Sequence, residues 1–119
     1  MIVRSLLVAA AVAGLAGCTF QNRDEREADR ITQAVINNDL KPVGNDIAKG
    51  IATTRVKVAE WSDELGAQGK LLSVKETAVK CKPGWRCFDV KFQKHDYVEQ
   101  MRFNNSHKVV DLQFHMVEK

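Results

Sequence analysis

The spacing of apolar positions changes period half-way along the chain. Between Asp24 and Asn38, Ala28, Ile31, Ala34 and Val35 recur at three- and four-residue steps, which gathers them on one face of a helix. Acidic residues open this stretch, where they complement the positive end of the helix dipole. Asn37-Asn38-Asp39 and then Pro42 end it. A second helical stretch is predicted around Ile47 and Ile51, one turn apart. A third begins at Thr54 as N-cap and runs through Val58, Trp61 and Leu65 before Gly66 and Gly69 stop it.

Beyond Gly69 the period falls to two. Leu72, Val74 and Ala78 alternate with Ser73, Lys75 and Thr77, and Phe88, Val90 and Phe92 alternate with Asp89, Lys91 and Gln93. Tyr97, Met101 and Phe103 share one face with Glu99 between them. Val110, Leu112, Phe114 and Met116 complete the series. Four half-buried strands are predicted, joined by Pro83-Gly84, Lys94-His95-Asp96 and Asn104-Asn105-Ser106-His107. Short connections pair each strand with the next. The expected fold class is α+β, with N-terminal helices packed on a four-stranded antiparallel meander sheet.

The first eighteen residues follow neither period. Met1–Arg4 carries one positive charge, every residue from Leu6 to Ala16 except Gly14 is apolar, and the run closes on Leu15-Ala16-Gly17-Cys18. A basic start, a short apolar stretch and small residues before a cut site describe a secretory signal. The run is too short for a spanning helix, which takes about 20 apolar residues. Leu15-Ala16-Gly17-Cys18 resembles the lipobox of bacterial lipoproteins. The resemblance implies cleavage between Gly17 and Cys18 by signal peptidase II, a diacylglycerol group on the Cys18 sulfur and an N-acyl chain on the new amine. No other cofactor is expected. One acyl chain holds a protein only marginally to a bilayer, whereas two or more hold it stably. In this family Thr19, rather than Asp, after the cysteine implies the periplasmic face of the outer membrane of a Gram-negative bacterium. An ordinary secretory signal, with Cys18 a structural thiol, is the alternative.

Three cysteines are an odd number for an exported chain. With Cys18 lipidated, Cys81 and Cys87 remain to pair around the Pro-Gly turn, as strand-to-strand neighbours in an oxidising compartment. Five intervening residues favour a structural staple over a redox pair, which commonly has two. The organisation expected is a signal peptide over 1–17, lipidated cysteine and short tether over 18–22, and a single domain over 23–119. Loss of Arg4 with the signal lowers the net charge from +3 to +2. The remaining charges are interleaved, so nucleic acid is not an expected partner. The membrane, through the anchor, and an envelope protein are.

Trp61-Ser62-Asp63-Glu64-Leu65-Gly66 followed by Gly69-Lys70-Leu71-Leu72-Ser73-Val74-Lys75-Glu76-Thr77 resembles the helix-to-strand junction of exported cystatin-like domains, also called nuclear-transport-factor-two-like rolls. That resemblance implies a sheet wrapped over helices, in proteins that include enzymes, ligand carriers and scaffolds, so it selects no activity.

The sequence offers two carboxylates for acid–base chemistry. Glu76 and Glu99 fall in phase with the apolar faces of their strands, with Tyr97 as a possible companion. Their position near strand ends predicts that both acids reach solvent and that no catalytic residue is present. No metal site is expected. His95, His107 and His115 are dispersed, and Asp111 and His115 stand about 13 Å apart along a strand. The function expected is a membrane-anchored envelope lipoprotein whose domain binds or supports a protein or small ligand without catalysis. The alternatives are an acid–base pocket enzyme and a periplasmic inhibitor or immunity-type lipoprotein.

Overall fold

A computed structural model describes residues 21–118; the leader and Cys18 lie outside them. Helix α1 spans Arg23–Ile36 and helix α2 spans Arg55–Gly66. The strands are β1 Leu71–Thr77, β2 Arg86–Phe92, β3 Asp96–Phe103 and β4 Val109–Met116. Strand order is β1-β2-β3-β4 and every pairing is antiparallel, so the architecture is the α+β meander expected.

Each helix begins where a side chain satisfies its free N–H groups. Asn22 accepts from Glu25 N at 2.7 Å while Glu25 Oε1 accepts from Asn22 N at 2.8 Å, a reciprocal capping box. Thr54 Oγ1 accepts from Lys57 N. Helix α1 ends at Asn38, whose φ of 52° is left-handed and tolerated by Asn. Its buried stripe of Ala28, Ile31, Ala34 and Val35 lies in one core with Val58, Trp61 and Leu65 of α2 and the inward side chains of the sheet. Burying each large apolar side chain stabilises the fold by about 1.5–3 kcal/mol. Trp61 meets Phe114 edge-on at 5.2 Å, and Phe92 meets Tyr97 at 5.7 Å. Ser62 Oγ donates to the Ile36 carbonyl, tying the end of α1 to the middle of α2.

Two predictions about the elements are corrected. The helix expected around Ile47 and Ile51 is absent. Pro42 starts a short 3-10 helix over Lys41–Asp46, and Gly50 takes a left-handed φ of 75° that breaks any continuation. Residues 47–53 instead run along β4. Ile47 forms a parallel bridge with Val109, Ala48 N donates to Val109 O, Ala52 N to Val110 O, and Thr53 Oγ1 to Leu112 O. Half-buried Ile47 and Ile51 pack on the core from this segment.

The strict alternation in β1 and β4 is also broken, in each case by a bulge. Leu71 pairs with Phe92 and Ser73 with Lys91, leaving Leu72 as the extra residue. Phe103 pairs with Val109 and Arg102 with Asp111, leaving Val110 extra. An inserted residue reverses the side-chain parity before it. Leu71 and Val109 therefore pack inward, whereas Leu72 is 61% exposed. Ala78 lies beyond the end of β1, and Met116 is exposed at the end of β4.

Candidate functional site

The two candidate carboxylates sit on β1 and β3, either side of β2, in opposite environments. Glu99, at the centre of β3, projects between Phe88 of β2 and Phe114 of β4 and is fully buried. The expectation that it reaches solvent is overturned: the acid follows the apolar stripe of its strand inward, beneath α1. Its Oε1 lies 2.8 Å from Thr32 Oγ1, and its Oε2 has no hydrogen-bond partner. Burial pushes the carboxyl well above the ordinary range, the negative charges of Asp29 and Glu27 add to this, and the Thr32 hydroxyl opposes it. Thr32 Oγ1 also lies 2.7 Å from the Ala28 carbonyl. A hydroxyl has one hydrogen and cannot donate to both oxygens. A protonated Glu99 donating from Oε1 to Thr32, which donates in turn to Ala28, satisfies both contacts of the hydroxyl and leaves only Oε2 without a partner.

Tyr97 is also buried, on the same face of β3, and its hydroxyl has no partner within hydrogen-bonding geometry. Burial raises its pKa and the nearby Glu64 carboxylate adds to the rise. The principal clefts are lined by other residues. The largest, about 780 Å³ and open, runs between α1 and the outer edge of β1 past Gln33, Ile36, Leu71 and Val74. Neither Glu99 nor Tyr97 lines any of the described clefts.

Glu76 is half-buried at the end of β1 and keeps solvent contact, as expected. It belongs to a polar clamp that fastens the start of α1 to the end of the sheet. Its Oε2 accepts from Arg86 Nε, its Oε1 accepts from Asn22 Nδ2 at 3.1 Å, and its backbone N–H donates to Glu25 Oε2 at 2.7 Å. Arg86 Nη1 meets Asp24 Oδ2 at 2.7 Å, and Asp24 Oδ1 meets His107 Nε2 at 2.9 Å. The Arg86 hydrogen bond is the main reason the Glu76 carboxyl lies below its usual range; burial works against it and Asn22 assists. The clamp joins α1, β1, β2 and the β3–β4 turn through charge-assisted bonds. Glu76 reaches solvent as expected, but the clamp with Asp24, Arg86 and His107 had no local signal: Arg86 meets Glu76 across a hairpin 10 residues apart, and the contacts to the start of α1 span 51 to 83 residues. Thr32 had a signal: it sits one turn after Ala28 on the apolar face of α1.

Cys81 and Cys87 form a disulfide with Cα atoms 5.8 Å apart. They are not strand-to-strand neighbours, because Cys87 pairs across the ladder with Thr77. The bond fastens the 78–85 loop to the start of β2 instead. His95 meets Gln68, His107 stacks on Phe103 with ring centres 4.5 Å apart, and His115 meets Gln113. Among the described residues no group of three metal-ligating side chains converges, and no helix is long and apolar enough to cross a membrane. The chain matches no known protein family and has no significant similarity to any curated protein.

Proposed function

We propose that this chain is a lipid-anchored envelope protein, cut before Cys18 and carrying diacylglycerol and N-acyl chains there, whose domain acts as a non-catalytic binding or structural module. The anchor rests on one observation, the apolar leader closing on Leu15-Ala16-Gly17-Cys18. Thr19 favours the outer membrane, and the roll resemblance fits a meander beneath two helices. Intact mass spectrometry of the protein from its native membrane fraction tests the anchor. The expected mass starts at Cys18 and includes acyl chains; a mature chain with an unmodified Cys18 would refute it.

The non-catalytic reading rests on Glu99 and Tyr97 lying in a packed core away from the described clefts. One observation favours the acid–base enzyme instead: a buried carboxyl with a raised pKa and an oxygen without a hydrogen-bond partner is the environment of many general acids. Access decides between them. Glu99→Cys in the folded protein is expected to resist small methanethiosulfonate reagents, and rapid labelling would favour the enzyme.

A further inference from the structure

The end of the sheet that receives the start of α1 sorts its charges by depth. The acids there are turned inward: Asp24 and Glu25 are buried, and Glu76 is half-buried and held by Arg86 and Asn22. Arg23, Arg26, Lys80, Lys82 and Lys108 are exposed around them. Arg86 is neutralised by Asp24 and Glu76, but Lys80 and Lys82 have no acidic partner within ion-pair distance among the described residues. No acid occurs between Thr77 and Asp89. The positive end of the α1 dipole points the same way.

The disulfide-closed loop at this end also carries apolar surface. Val79 is 73% exposed, and half-buried Trp85 lies under the Arg102 guanidinium at 5.7 Å. Lys80 and Gly84 hold left-handed φ angles of 56° and 85°, so the loop is a shaped tip rather than an extended linker. An exposed valine, a tryptophan and unpaired lysines together suit a bilayer interface, where rings sit at headgroup level and amines meet phosphates.

We infer that this cationic end, with the 78–86 loop at its tip, is the surface that the domain lays on an anionic phospholipid bilayer. The orientation rests on the anchored reading. Cys18 precedes Asn22 by four residues, at most about 14 Å of extended chain, and Asn22 is bonded to Glu76 beside the loop. A lipid on Cys18 therefore enters the bilayer within that reach of Asn22, which keeps the cationic end of the domain close to the headgroups. Each lysine near an anionic surface strengthens contact roughly fivefold.

The test supplies the anchor chemically, so it does not depend on natural processing. The core lies wholly between Ala28 and Phe114, and a chain starting at Cys18 carries all of it. With the disulfide oxidised, Cys18 is coupled to a maleimide lipid in vesicles of phosphatidylcholine alone or with phosphatidylglycerol. Brominated lipid then reports Trp85 depth by fluorescence quenching, with Trp85→Phe isolating its signal from core Trp61. Quenching of Trp85 is expected on phosphatidylglycerol vesicles, with loss in high salt and in Lys80→Glu/Lys82→Glu. Equal quenching on both vesicle types, or no change in the double variant, would overturn the assignment. Failure of the natural anchor would appear separately, as an unmodified Cys18 in the native mass.

Discussion

The centre of the sheet and its clamped end treat the same chemical group in opposite ways. At the centre, Glu99 is surrounded by Phe88, Phe114 and α1, has its pKa raised by burial, and has Thr32 as its one hydrogen-bond partner among the described residues. At the end, Glu76 is ionised, bonded to Arg86 and Asn22, and in contact with water. Both acids sit in phase with apolar neighbours, so the strand pattern does not distinguish them. Depth and partner do. A carboxylate with a guanidinium beside it gains from ionising, while one packed among rings loses its hydration and gains nothing in return.

Placing a fixed charge at the centre breaks this arrangement most severely. Glu99→Lys puts a longer, cationic side chain into the packed core, and a loss of about 3–5 kcal/mol is expected, read as an early or absent cooperative transition in thermal unfolding. At the clamped end, reducing the disulfide or making the Cys81→Ser/Cys87→Ser double variant is expected to cost about 2 kcal/mol. That follows from the short loop it closes, and chemical denaturation measures it.

The next two effects separate the glutamates by pH. The folded pKa of Glu99 is raised, so the folded state binds more protons than the unfolded state above the unfolded value of about 4.3. Its contribution is full below that value and declines as pH rises, by about 1.4 kcal/mol per pH unit until the folded pKa is reached. Glu99→Gln, which retains the bond to Thr32, is expected to flatten that decline and to be more stable than the parent at neutral pH. An unchanged slope would show that Glu99 ionises freely.

Glu76 has the opposite sign. Its folded pKa is lowered, so its contribution is present above the unfolded value and is lost as pH falls through the folded one. Because Arg86 is 42% exposed, water screens the pair, and Glu76→Gln is expected to cost less than about 1 kcal/mol at neutral pH. The effect should vanish in acid, as urea titrations at two pH values would show.

Much of this was legible in the chain. Period 3.6 marked α1 and α2, Asn37-Asn38 and Gly66 marked their ends, and period two marked four strands, because burial on one face imposes those spacings wherever it occurs. Thr54 was identifiable as a cap because capping acts over three residues. Cys81 and Cys87 were identifiable as a pair because little chain separates them. The failures share a cause. Leu72 and Val110 were assigned inward because alternation carries no mark of a bulge, whose insertion depends on the neighbouring strand. Ile47 and Ile51 stand one turn apart yet lie in a strap along β4, since main-chain partners on that strand outcompete a helix already weakened by Pro42 and Gly50.

The sequence by itself therefore determined the two helices, the four strands and the strand order, all of which depend on short stretches of chain. Tertiary structure alone decided which glutamate would be buried, which acids would meet Arg86, and that the exposed lysines of the 78–86 loop would stand at the end of the sheet that receives the start of α1. Those outcomes depend on solvent exclusion and on Coulomb partners drawn from distant segments, and neither exists until the chain has closed on itself.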